Sequence, residues 1–413
     1  MANLVKWCLY ISYFYGRLTG AQCDSTSRSS YGRGSIQARP LCGVLNFEID
    51  LKTGRARVTK RTTIYAAGTQ VFLFTLLVFH TLKMRWMSSI WTKANLLHEY
   101  VFMILSVFRI VCVLLALVSR WLTRRRFVRL FNSFRRLFLS NPEAIQYCRR
   151  GMAFKCFCGT VTELVQLFMA LIMVKKYLTF TLALGIWAIM TLTAIINVII
   201  TQYYIAMANI RGSYVLLNKE LQEIMVEVRA LEPSRRGVFV TKCCSLADRL
   251  DEIAGSQSEL QALADRLSKT FEVQVFCMVL DFYLNSVANF YMVFSAGKYT
   301  NMTQEWPDIV LVMGAAFFVF YYLDNWISLY NVLDLLDLHA EMVKILDQRT
   351  LFLPGLDNRL EATFERFVLN LARNPFRIRF FGVFEANRFT SFAMGNSLLA
   401  NSIFLIQYDM ENF

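Results

Sequence analysis

Six charged residues fall within runs of sequence that are otherwise almost wholly apolar: Arg109, Glu163, Asp281 and Asp324, with Lys155 and Glu272 near the ends of theirs. A charge in hydrocarbon is costly, so such residues pair, face water or take part in binding. Glu163, Asp281 and Asp324 are the candidate partners of Arg109. Spacing alone leaves open a structural ion pair, a cation snorkelling at a wet crevice, or a part in ligand binding or gating. A proton relay is disfavoured, because the one run with two acids places Glu272 near its end, far along the helix from Asp281. Enzymatic motifs are missing: there is no H-E-x-x-H, G-x-S-x-G or P-loop. Cys156-x-Cys158 and Cys243-Cys244 lack metal-ligand spacing with His80, His98 or His339, so neither a metal nor a cofactor is expected. The ten cysteines read as reduced thiols, without a disulfide framework.

The final apolar run carries an unusual set of small and polar residues: Ser391, Asn396, Ser397, Ala400, Asn401, Ser402 and Gln407. Asn396, Ala400, Ile403 and Gln407 follow i, i+4, i+7, i+11 and therefore share one helix face. A narrow polar seam either packs closely on neighbouring helices or lines water. Spacing does not choose between the two.

The elements that must position these residues follow from composition. Of 413 residues, 56% are hydrophobic and 15% aromatic, and the mean hydropathy is +0.40. Soluble domains are about 45–50% apolar, so the excess calls for a bilayer. A helix crosses the hydrocarbon core with about 20 apolar residues. Seven runs qualify: Thr62–Leu82, Tyr100–Ser119, Met152–Val174, Tyr177–Ile210, Thr270–Gly297, Ile309–Ile327 and Phe389–Tyr408. The expected fold is an all-α membrane protein with seven transmembrane helices.

Basic residues outside these runs set the orientation. The N-terminal segment and the second, fourth and sixth loops hold ten, nine, nine and eight Lys/Arg. The first, third and fifth loops and the tail hold three, two, one and none. The N-terminus is therefore expected in the cytoplasm and the C-terminus outside. The net charge of +14 is accounted for by this asymmetry rather than by nucleic acid. The sequon Asn301-Met302-Thr303 falls on the expected outer face, making Asn301 a candidate glycosylation site.

Domain organisation follows. Residues 1–61 form a cytoplasmic segment, with an apolar N-terminal stretch better read as an interfacial helix than a secretory signal. Within it, the Ser-, Arg- and Gly-rich residues 21–43 are expected to be disordered. Residues 62–331 hold the first six spans and a helical cytoplasmic loop at 211–269, where Tyr214, Leu217, Leu221, Ile224 and Val228 recur at helical spacing. Residues 332–388 form a second helical region, with apolar periodicity over Val332–Leu346 and Leu360–Leu371. The last span and a short tail occupy 389–413.

The ending Asn401-Ser-Ile-Phe-Leu-Ile-Gln407-Tyr408 resembles the seventh-helix ending of insect gustatory receptors, whose pattern is Thr-Tyr, five apolar residues and Gln-Phe. Gln407 is retained, while Ala400 and Asn401 replace Thr-Tyr and Tyr408 replaces Phe. Tyr15-Gly16, Asn46-Phe47-Glu48, the run from Thr241 through Cys244 to Ala247-Asp248-Arg249, and Arg349-Thr350-Leu351-Phe352 extend the resemblance over nearly the whole chain. Residues 21–43 have no counterpart in the family pattern.

The resemblance implies a tastant-gated, non-selective cation channel at the plasma membrane of sensory neurons. It implies a homo- or hetero-tetramer with other gustatory receptors, with bitter compounds among the possible ligands. It turns the seam Asn396, Ala400, Ile403 and Gln407 toward a central pore and makes 332–388 part of an intersubunit anchor. Aromatics at the depth of the implied pocket are Phe180, Trp187, Tyr283, Phe290, Tyr291, Phe317 and Phe318; each could equally serve core packing or face lipid. The runner-up is a seven-helix G-protein-coupled receptor, which the inward N-terminus and the lack of outer-loop cysteines oppose. A secondary transporter would want repeated halves and broken helices, which are not seen.

Overall fold

The computed structural model describes residues 48–49, 56–82, 96–140, 142–174, 180–231, 236–299, 308–348 and 357–412. Expectations for residues 21–43 and for Asn301 lie outside the described residues.

Apolar runs become helices because the chain can satisfy its own backbone in lipid only by intra-helical hydrogen bonds or closed sheets. The helices are α1 (Lys60–Leu82), α2 (Leu96–Leu122), α3 (Arg124–Ser140), α4 (Ala144–Val174), α5 (Phe180–Arg229), α6 (Arg236–Lys298), α7 (Asp308–Asp347), α8 (Asn358–Arg373) and α9 (Arg388–Asn412). Six of them, α2, α4, α5, α6, α7 and α9, contain segments long and apolar enough to cross a membrane. The first expected span, Thr62–Leu82, coincides with α1.

Length sets the second feature. With 50, 63 and 40 residues, α5, α6 and α7 reach about 75, 95 and 60 Å at 1.5 Å per residue, against a hydrocarbon core of about 30 Å. The expected helical stretches of 211–269 are thus continuations of α5 and α6, and Val332–Leu346 continues α7. Leu360–Leu371 becomes the separate helix α8. Its start is fixed by Asp357, whose carboxylate accepts from the Arg359 amide at 3.2 Å.

The densest core lies in these extensions. Tyr214, Leu221 and Ile224 of α5, Leu250, Ile253 and Leu267 of α6, Leu335, Met342 and Leu346 of α7, and Leu360, Phe364 and Phe367 of α8 pack into one buried cluster. Ion pairs fasten its rim: Arg249–Glu227 at 2.8 Å, Arg211–Asp334 at 2.9 Å and Arg359–Asp248 at 2.5 Å. In the membrane-spanning parts, large apolar side chains such as Val107, Phe168, Val312 and Val319 face outward, as lipid contact requires.

One close approach depends on a missing side chain. A Cβ on Gly212 of α5 would lie 2.4 Å from the Ala144 carbonyl oxygen and 2.6 Å from the Cys148 sulfur of α4. Glycine lets these two backbones meet.

Two short strand pairs interrupt the all-helical picture. β1 (Glu48–Ile49) pairs with β2 (Ala56–Arg57), and β3 (Arg379–Phe380) with β4 (Phe384–Glu385), both antiparallel. The second turns through Phe381 and Gly382 at φ of 53° and 67°. Gly382 adopts this freely; Phe381 is held there by its amide, which donates to Glu272 of α6 at 2.6 Å, and by its ring, edge-on to Phe276 at 5.2 Å.

Candidate functional site: intramembrane charges, an aromatic wall and the face of the last helix

Inside the bundle the intramembrane charges do not form the single ion pair that Arg109 suggested. Asp324 of α7 is held by Lys155 of α4, whose Nζ lies 2.5 Å from the carboxylate and 3.1 Å from the Asp324 carbonyl oxygen. That ammonium is 2% exposed and sits 5.9 Å from the Tyr204 ring. Glu163 of α4 accepts a hydrogen bond from the Asn197 side chain of α5. Arg109 of α2 makes no ion pair within 4 Å among the described residues. It stands close enough to Glu163, Asp281 and Tyr321 to act on all three electrostatically.

Around these charges α2 packs on α6, and α4 on α5 and α7; α6 and α7 are not closely packed along their backbones. Rings span the space between them. Phe282 stacks on Tyr321 at 6.0 Å and meets Tyr322 edge-on at 5.9 Å, and Phe290 approaches Tyr322 at 6.4 Å. Phe317 and Phe318 stack on Tyr321 and Tyr322 at 5.6 and 6.4 Å. Arg109, Glu163 and Asp281 stand near this aromatic wall, and together the groups have the chemistry to hold an organic molecule with a polar or charged group.

The seven aromatics of the sequence reading divide. Phe290, Phe317 and Phe318 belong to the ring cluster. Trp187 packs against the main core, and Phe180 is exposed at the start of α5. Tyr283 and Tyr291 turn instead to α9. The Tyr283 hydroxyl meets Ser397 Oγ at 2.8 Å and accepts from the Asn401 amide at 2.7 Å.

Tyr291 takes part in a lock that the sequence did not reveal. Asp409, near the end of α9, is fully buried. Its carboxylate accepts from the Tyr291 hydroxyl at 3.2 Å, the Tyr299 hydroxyl at 3.2 Å and the Lys298 ammonium at 3.1 Å. His98 of α2 packs on Tyr291 with ring centroids 5.1 Å apart and bonds to Ser295. The expected last span stopped at Tyr408, leaving Asp409 as a flanking charge; α9 continues to Asn412.

With this lock in place, α9 presents two opposite faces. Leu398, Ser402 and Asp409 are buried, whereas Asn396, Ala400, Ile403 and Gln407 are exposed. At about 100° per residue the two sets are centred roughly 150° apart. The polar seam therefore faces away from the bundle that holds the helix.

A model of the 7tm chemosensory receptor family matches residues 40–412. The chain belongs to this family. Gustatory receptor 59d of Drosophila melanogaster is 51% identical over all 413 residues and the full length of both chains, and gustatory receptor 36c of that fly is 36% identical over 90% of this chain and 95% of its own. In fold the receptor is similar to olfactory receptor OR5 of Machilis hrabei, with a TM-score of 0.60 at 13% identity over 98% of this chain and 99% of that one. OR5 in complex with eugenol gives 0.58 at 12% identity, over 98% of each chain. The chain is thus a multi-pass membrane receptor of the chemosensory class.

Proposed function

We propose that this receptor is a gustatory receptor subunit of a tastant-gated, non-selective cation channel, in which four subunits set their α9 helices around a central conduit. The observation that carries this reading is the two-faced α9: one face is bonded into its own subunit while Asn396, Ala400, Ile403 and Gln407 are left without cover. The relatives designated gustatory receptors support the sensory assignment, and the fold shared with OR5 is in keeping with it.

In this reading the N-terminus is cytoplasmic, as the distribution of basic residues indicates, and the extended parts of α5, α6 and α7 with α8 form the anchor between subunits. The subunit resides in the plasma membrane of sensory dendrites. The tastant binds between α6 and α7, where aromatic faces hold its apolar body and Arg109, Glu163 and Asp281 select its polar group. Two carboxylates beside one guanidinium favour an amine-bearing ligand, which fits a bitter base.

Expressed with candidate co-subunits, the receptor yields cation currents upon tastant application that survive G-protein blockade. Currents abolished by that blockade, with an N-terminal tag stained on unpermeabilised cells, would establish a G-protein-coupled receptor instead.

A further inference from the structure

Helix α3 is a basic, amphipathic helix that directly follows the membrane-spanning α2. Its 17 residues include Arg124, Arg125, Arg126, Arg129, Arg135 and Arg136, with no acid. Phe127, Leu130 and Phe134 are buried against the protein. A cluster of four to eight basic residues next to a span suits an anionic lipid surface.

Beside α3 lies a cavity of about 720 Å³, lined by Arg126, Asp265, Ser268, Lys269, Glu272, Pro375, Arg377, Arg379 and Gly382. That volume is within the range of about 300–1,000 Å³ common for small-molecule sites. Four cations and two carboxylates face it. Lys269 is paired with Asp265 at 2.9 Å, Arg379 with Glu385 at 2.9 Å, and Glu272 accepts from the Phe381 amide. Arg126 and Arg377 have no ion pair among the described residues.

A further cation packs on Phe127 and Phe271, the sequence neighbours of the lining residues Arg126 and Glu272. Arg120 is 3% exposed, lies 3.6 Å from the Phe127 ring centroid and 5.6 Å from that of Phe271, and donates to the neutral Gln202. No carboxylate neutralises it among the described residues. The positive field at this end of the cavity therefore exceeds what the rim alone provides.

We propose that this cavity binds a polyphosphorylated anion, with Arg126 and Arg377 as its bidentate ligands. Two sources share that chemistry: the headgroup of an inner-leaflet phosphoinositide and a free inositol phosphate. The site bears on the last helix by a short covalent route. Arg377 and Arg379 lead into the β3–β4 hairpin, whose turn is docked on α6 through Glu272. Immediately after it, Asn387 accepts from the Thr390 amide at 2.7 Å and starts α9. The leaflet assignment rests on the proposed topology; the binding itself does not.

The test uses the full-length chain in phosphatidylcholine nanodiscs, which expose both faces and need no channel activity. Inositol trisphosphate and a short-chain phosphatidylinositol bisphosphate are titrated separately against a fluorescent label. Both should bind if the phosphate groups are the determinant. Saturation by the lipid alone identifies the headgroup in its membrane setting; saturation by the free phosphate alone identifies the soluble source. Arg126→Gln with Arg377→Gln should weaken binding at least tenfold, while Arg126→Lys, which keeps the charge but loses the bidentate fork, should weaken it less than Arg126→Gln. Should the double variant elute as aggregate, Asp265→Asn removes a facing carboxylate and should tighten binding several-fold. Binding of neither probe, or equal affinity in wild type and in these variants, overturns the proposal. Absence of tastant-evoked currents from the wild-type receptor, with binding intact, would instead count against the channel reading alone.

Discussion

Replacing Asp409 with alanine should release the end of α9 from the bundle while leaving the remaining helices folded. Asp409 is 0% exposed and is held by two tyrosine hydroxyls and a lysine that is 28% exposed. Hydrogen bonds to a charged group contribute about 1.5–3 kcal/mol each. The partly hydrated Lys298 returns to water at little cost, and removing the carboxylate also relieves its own desolvation. The net loss is then about 3 kcal/mol, or about 100-fold at 1.4 kcal/mol per decade. Hydrogen exchange in the last turns of α9 reports this opening directly. Exchange over residues 404–412 should accelerate about 100-fold in Asp409→Ala, with the α5–α8 core unchanged. Tyr291→Phe, which removes a single donor to the carboxylate, should accelerate it by about tenfold, following the ~1.5 kcal/mol at the low end for a hydrogen bond to a charged group. An acceleration below about threefold in the alanine variant would refute the lock, because a carboxylate so enclosed cannot lose three partners silently.

Lys155→Met should destabilise the receptor by about 3–5 kcal/mol by leaving Asp324 unpaired, and Lys155→Met with Asp324→Leu should recover most of that loss, read as thermal inactivation in detergent. Gly212→Ala should cost about 1–3 kcal/mol by forcing α4 and α5 apart, since the added Cβ has only 2.4 Å to a backbone oxygen; the same assay checks it. Asp357→Ala should lower the protection of the first turn of α8 by about 1 kcal/mol through loss of its cap, visible as faster exchange at residues 358–361.

Much of the framework was legible in residue order. Apolar runs marked the spans, and the helical spacing of Tyr214 through Val228 and of Leu360 through Leu371 marked the extensions, because period and length are local properties. Partnerships were not local. Lys155 and Asp324 are 169 residues apart in sequence, and only packing of α4 on α7 decides that Lys155 rather than Arg109 meets that acid. Asp409 looked like a flanking charge because hydropathy ends a span at the first acid, although a lysine and two tyrosines can carry an acid inside. Tyr283 and Tyr291 looked like pocket residues because an aromatic suits lipid, core and ligand alike. The seam of α9 was legible as a face, but what that face looks toward depended on the bonds holding the opposite one.

The central claim is that the exposed face of α9 lines the conduit, and cysteine accessibility tests it most directly. Ile403→Cys and Gln407→Cys are expressed with co-subunits, and a charged thiol reagent is applied during tastant-evoked current. The account predicts rapid, irreversible loss or change of current at both positions, with Leu398→Cys on the buried face unaffected. Block at Leu398→Cys with Ile403→Cys and Gln407→Cys insensitive would contradict it.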